Sequence, residues 1–213
     1  MNIELIAKCS AIFPLTALAY CYIYPILIDF NQITKTHCNT KNFLPSVSAA
    51  ISYSPMTSIF WFLLILIHTP FRFMLAKCLN ETYKKLFARK YTSMYLASSG
   101  HYEYKKYLKL RKNIYFAYQI NKIEIIGLFI LSTFTSNANY EMHKLGFITY
   151  LICASIFKIL ICSIEYRLMT ENMPNCFHER KKLALIFANS FFLAIIFFMV
   201  HNAECMDFGN YFI

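Results

Sequence analysis

Seven polar residues stand where apolar runs of this chain end: Asp29, Ser46, Ser48, Glu141, His143, His201 and Asn202. Their types are those that move protons or grip headgroups. A histidine titrates near neutral pH, so His143 and His201 can each act as a general base, or hold phosphate when protonated. Ser46 and Ser48 bring hydroxyls, and Glu141 stands two residues from His143. Ordinary interfacial polarity would leave a similar set at helix ends, so the inventory marks a place and not yet a reaction. The chain holds no GxSxG elbow and no P-loop. It has no CxxC and no closely spaced Cys/His set, so neither a metal nor another cofactor is expected.

A second group lies within apolar sequence. His68 and Arg72 are four residues apart, which puts them on one helix face, and Glu124 opens another apolar run. Ionisable groups at membrane depth persist when paired, so the simplest arrangement is an Arg72–Glu124 ion pair packing two helices together. Lys158, late in a further run, is expected to snorkel toward the nearer water.

The elements that position these groups follow from composition. The chain of 213 residues is 58% hydrophobic and only 15% charged, with mean hydropathy +0.43. A soluble domain carries about 25% charged residues, and disorder needs low hydrophobicity. The fold expected is all-α: a single polytopic transmembrane helix bundle with spans near 9–28, 56–76, 122–138, 145–165 and 183–201. The first run is twenty residues without a charge, which at about 1.5 Å per residue covers the hydrocarbon core. The runs lack the alternation of barrel strands. Ala17-Leu18-Ala19 has the look of a cleavage site, but Glu4 spoils the basic leader and the run continues to Ile28, so the first helix is read as retained.

Charge sets the expected orientation. Eleven Lys and Arg lie between Lys77 and Lys122, against Glu81 and Glu103. Arg167, Arg180, Lys181, Lys182 and Lys8 fall on the same side, and only Lys35, Lys41 and Lys144 oppose them. The N-terminus and a basic loop over 77–121 are therefore expected in the cytosol. The +10 net charge has its origin there, and anionic cytosolic lipid, rather than nucleic acid, is the expected partner of the loop. The sequon Asn80-Glu81-Thr82 shares that side and is expected to stay unglycosylated. Of the eight cysteines, Cys38 and Cys205 fall on the lumenal side, where an oxidising compartment favours a disulfide over two separate thiols. No helix carries a repeated polar stripe, which argues against a channel.

Phe43-Leu44-Pro45-Ser46-Val47-Ser48-Ala49-Ala50-Ile51, followed by His68 and Arg72-Phe73, resembles the post-GPI-attachment-to-proteins factor two family. That family is grouped with the damage-regulated autophagy modulators. The match continues with Glu124, the Ser132 to Ser136 stretch, Glu141-x-His143 before Gly146-Phe147, and His201-Asn202 with Cys205, Gly209 and Tyr211. The resemblance covers roughly residues 40–213. It implies a multi-pass protein of the Golgi or endoplasmic-reticulum membrane that acts on GPI lipid and GPI-anchored proteins. The role implied is reacylation of lyso-GPI with a saturated chain, as the acyltransferase or as its accessory. A non-enzymatic membrane scaffold, as among the autophagy modulators, is the alternative.

Carried over by motif, the positions are Pro45, Ser46, Ser48, His68, Arg72, Glu124, His143, His201, Asn202 and Cys205, and the motif cysteines support a Cys38–Cys205 bridge. Pro70 sits one place off the expected pattern, Val200 stands where a basic residue is commoner, and relatives are expected to carry a further span beyond the position of Ile213.

Overall fold

The computed structural model describes residues 3–34, 46–95, 101–168 and 175–210, with side chains over 3–34, 46–91, 105–168 and most of 178–199. Six helices follow in chain order: α1 (Ile3–Ile33), α2 (Val47–Ser52), α3 (Pro55–Tyr95), α4 (His101–Thr133), α5 (Tyr140–Leu168) and α6 (Asn175–Asn210). No strand occurs among the described residues. Helices α1, α3, α4 and α5 are each long and apolar enough to cross a membrane, and the fifth apolar run lies in α6. The protein is an all-α polytopic bundle.

Lipid, not water, is the solvent its outer surface suits. Leu15, Leu27, Ile59, Leu63, Ile67, Leu145, Ile152, Ile159 and Phe192 all face outward, Leu27 at 79% exposure. A soluble protein would not spread so large an apolar surface around its whole girth.

Helix α3 runs for 41 residues, or about 60 Å, twice the thickness of a bilayer's hydrocarbon core. Its second half, together with the first half of α4, forms a long helical hairpin out of what the sequence suggests is a basic loop over 77–121. The hairpin has its own core. Tyr83 and Phe87 on α3 meet Leu110, Ile114 and Ala117 on α4 and Ile164 on α5. The spacings 83/87 and 110/114/117 put these residues on inward faces, which leaves the lysines outside. Lys84, Lys85, Lys109 and Lys112 all lie outside that core. A second core, at the other half of the bundle, joins Ala17 and Cys21 of α1 to Ile51, Trp61 and Ile65.

Two glycines bring α4 and α5 into backbone contact. A Cβ built on Gly146 would lie 2.6 Å from the Leu131 nitrogen, and one on Gly127 2.8 Å from the Tyr150 nitrogen. Close approach through small residues is a usual basis of helix association in lipid, where apolar side chains gain little by leaving the tails. The path of α1 breaks at Asp29, whose carboxylate accepts from the Gln32 backbone amide at 3.1 Å and so caps a final turn.

Candidate functional site

The short helix α2 is fixed from both sides. Ser46 caps it, accepting from the Ala49 amide at 3.1 Å. At its other end the Ile51 carbonyl accepts from the hydroxyls of Thr57 and Ser58, both at 2.9 Å, so α2 is folded back onto the start of α3. Ser52 then reaches the turn between α4 and α5, pairing with the Ser136 hydroxyl at 3.0 Å, while the Asn137 amide donates to the Ser52 carbonyl at 3.2 Å. Asn139 begins α5: its side-chain oxygen accepts from the Met142 amide at 3.1 Å, and its carbonyl from the His143 amide at 3.0 Å.

This scaffold brings Ser48 and His143 together. His143 Nε2 lies 2.9 Å from Ser48 Oγ, and its Nδ1 lies 2.7 Å from the Phe134 carbonyl oxygen. A carbonyl can only accept, so Nδ1 must carry a proton. In the neutral ring Nε2 then holds the free lone pair, and the Ser48 hydroxyl donates to it. Both side chains are half-buried, so a substrate can approach. The arrangement is a hydroxyl held against a base whose tautomer is fixed by a third group, the geometry that activates a nucleophile. Here a backbone carbonyl stands where a carboxylate more often does. Glu141, in the first turn of α5, is exposed, and Ser46 serves as the α2 cap.

Halfway down the bundle the expected ion pair is present. Arg72 Nη2 donates to Glu124 Oε1 at 2.7 Å, joining α3 to α4. The Glu124 side chain is only 7% exposed, and its Oε2 has no hydrogen-bond partner. His68 shares a helix with Arg72 and is 2% exposed, with its Nδ1 buried and without a hydrogen-bond partner. The Arg72–Glu124 pair ties α3 to α4. Glu124 lies ten residues before Phe134, so the pair sits about 15 Å below the Ser48–His143 contact. Lys158 places its ammonium over the Phe187 ring of α6 rather than extending along the surface.

A third polar cluster closes the basic end. Glu165, 2% exposed, accepts from the Tyr83 hydroxyl at 2.5 Å and from Arg180 of α6, and Arg180 also reaches the Tyr83 oxygen at 3.4 Å. Lys90 donates to the terminal carbonyl of Arg167 at 2.7 Å, satisfying the C-terminus of α5. Sequence reading passed over Glu165, although it carries the same signal as Glu124: an acid at the edge of an apolar run. Along α5, Glu165 is 22 residues from His143, about 33 Å, so the two polar ends stand one hydrocarbon thickness apart. Asn80 is buried in the middle of α3, with its amide directed at Glu81.

Pro45 and Cys38 lie outside the described residues, and His201, Asn202 and Cys205 lie in α6 with side chains outside them. The expected Cys38–Cys205 bridge therefore falls outside the described residues. Cys9, Cys21, Cys78, Cys153 and Cys162 are free thiols. Among the described residues no group of His, Cys, Asp and Glu could hold a metal ion.

The chain is similar in sequence to several known proteins. The chain is 32% identical over 202 residues to the Caenorhabditis elegans protein called post-GPI attachment to proteins factor 2, covering 92% of this chain and 72% of that one. It is 29% identical over 208 residues to the Danio rerio protein called acyltransferase PGAP2, covering 95% and 81%. The Drosophila pseudoobscura post-GPI attachment to proteins factor 2 is 29% identical over 197 residues, covering 90% and 69%. No solved structure gives a significant match. The Frag1/DRAM/Sfk1/Cwh43P N-terminal domain family matches residues 2–212, so this chain belongs to that family.

Proposed function

We propose that this protein remodels the lipid of GPI anchors, esterifying a lyso-GPI lipid with a saturated fatty acid in the lumenal leaflet of the Golgi or endoplasmic-reticulum membrane. The observation that carries the reading is the Nε2 lone pair of His143, held by Phe134 against a hydroxyl at one end of the bundle. Esterifying an alcohol requires removal of its proton as the oxygen attacks an acyl carbon, and a fixed imidazole does this near neutral pH. Relatives named for post-GPI attachment and for acyl transfer support the substrate class.

The excess of Lys and Arg at the opposite end supports an orientation with that end in the lumen and the N-terminus in the cytosol. Helix α6 runs antiparallel to α5, with Arg180 beside Glu165 and Phe187 beside Lys158. Continued at the same register, helix position 201 falls level with position 144, which supports reading His201 as a second histidine near the depth of His143.

The test is complementation of a cell lacking its own family member, scored by mass spectrometry of GPI-anchor lipids. Wild type should restore saturated chains, and His143→Ala should fail while reaching normal abundance. Full rescue by His143→Ala, with loss of rescue on neutralising Lys84, Lys85 and Arg89, would instead establish the scaffold reading. Protease accessibility of tags at either end checks the orientation.

A further inference from the structure

We infer that Ser48 is the nucleophile that carries the acyl group, so that transfer proceeds through an ester on this residue rather than directly from donor to lyso-lipid. The inference rests on the acyl-transfer reading above and adds a covalent step to it.

Three observations lead to it. First, proton inventory assigns the Ser48–His143 contact a direction in the neutral ring: the Phe134 carbonyl demands the Nδ1 proton, so Nε2 accepts from the hydroxyl of Ser48. Second, the contact is not needed to hold α2 in place. Ser46 caps the helix, Thr57 and Ser58 tie its end to α3, and Ser52 ties it to Ser136 and Asn137. Third, Ser48 is accessible and stands near the end of the bundle, where a lipid ester linkage would lie, whereas the hydroxyls of Ser132, Thr133 and Ser155 donate to carbonyls of their own helices.

The chemistry balances without any further reagent. Ser48 Oγ attacks the acyl carbon of a fatty acyl ester or thioester while its proton passes to His143 Nε2. The tetrahedral intermediate collapses, the bond to the leaving oxygen or sulfur breaks, and His143 returns the proton to that atom. The acyl group now sits on Ser48. The free hydroxyl of the lyso-lipid next gives its proton to Nε2 and attacks the same carbon. Ser48 Oγ leaves and takes the proton back. Splitting one transfer into two lets donor and acceptor use the same half-buried position in turn.

The test uses the purified full chain in detergent micelles with p-nitrophenyl palmitate as the probe. Wild type should release a burst of p-nitrophenol close to one equivalent of protein, and gain one palmitoyl group that peptide mass spectrometry places on Ser48. His143→Ala should slow the burst by about a hundredfold or more, the usual scale for loss of a general base. Ser48→Ala should abolish the burst. Ser48→Cys should form a thioester that neutral hydroxylamine cleaves, a signature a merely structural serine would not give. If Ser48→Ala lowers the melting temperature, the wild-type mass measurement and the Ser48→Cys thioester decide the matter alone. Absence of palmitate from Ser48 in wild type, with complementation intact in Ser48→Ala and lost in His143→Ala, overturns the covalent step and leaves direct transfer standing. Intact complementation in both variants overturns the acyl-transfer reading as well.

Discussion

Replacing Gly146 by alanine should both loosen the bundle and disengage its candidate site. The new Cβ would stand 2.6 Å from the Leu131 nitrogen and 3.1 Å from the Gly127 carbonyl oxygen, both backbone atoms that no rotamer change can move. Ordinary contact begins near 3.4 Å, so α4 and α5 must part by about 0.8 Å at that level. Overpacking of this kind costs about 1–3 kcal/mol, and the better helix propensity of alanine returns up to about 1 kcal/mol. A net loss of up to about 2 kcal/mol corresponds to a fall in melting temperature of up to about 8 °C for a chain of this size. His143 lies three residues before Gly146, one turn away on the same helix. It bonds Phe134 on the α4 side at 2.7 Å and Ser48 at 2.9 Å, so a displacement of that size takes both contacts beyond hydrogen-bonding length. Misplacement near 1 Å costs about a hundredfold in rate. Melting in detergent and lipid analysis of complemented cells read the two effects together. Gly127→Ala, whose Cβ would lie 2.8 Å from the Tyr150 nitrogen, separates the same helices, so the double variant should lose less than the two single losses combined. Gly146→Ala with unchanged melting and unchanged rescue would refute the close-contact argument.

Three other expectations follow from the buried charges and the sequon. Arg72→Leu or Glu124→Leu alone should cost about 3 kcal/mol by leaving a charge uncompensated, whereas the double substitution should recover most of that loss in the same melting assay. Arg180→Met should release α6 from the Glu165–Tyr83 cluster and hasten limited proteolysis of α6, while Arg180→Lys restores part of the protection. Asn80 should show no glycosidase-sensitive mass in cells, because its side chain is buried. A shift that disappears in Asn80→Gln would contradict both the packing and the orientation.

What the residues determined by themselves is the class of molecule and one contact. Apolar runs of bilayer length without strand alternation leave a helical bundle as the way to satisfy the backbone in lipid, so the all-α class needed no tertiary information. Arg72 and Glu124 were paired from sequence because a charge in that solvent must find its opposite, and few candidates lay at the same depth. The basic 77–121 stretch reads as a loop by charge alone, yet its 83/87 and 110/114/117 apolar spacing encodes a hairpin. That pattern was legible but overshadowed by the lysines.

Other features were decided only by folding. Ser48 and His143 stand 95 residues apart in the chain, and nothing in either segment specifies the 2.9 Å between them. Their meeting depends on α2 folding back through Thr57, on the α4–α5 turn, and on two glycines that let backbones touch. Hydrophobic patterning fixes which face of each helix is buried. It does not fix which long-range partners meet across the bundle, because depth and rotation are set jointly by every helix in contact. The Phe134 carbonyl makes the point most sharply: a main-chain oxygen orients the histidine, and a main-chain atom carries no side-chain signature to read.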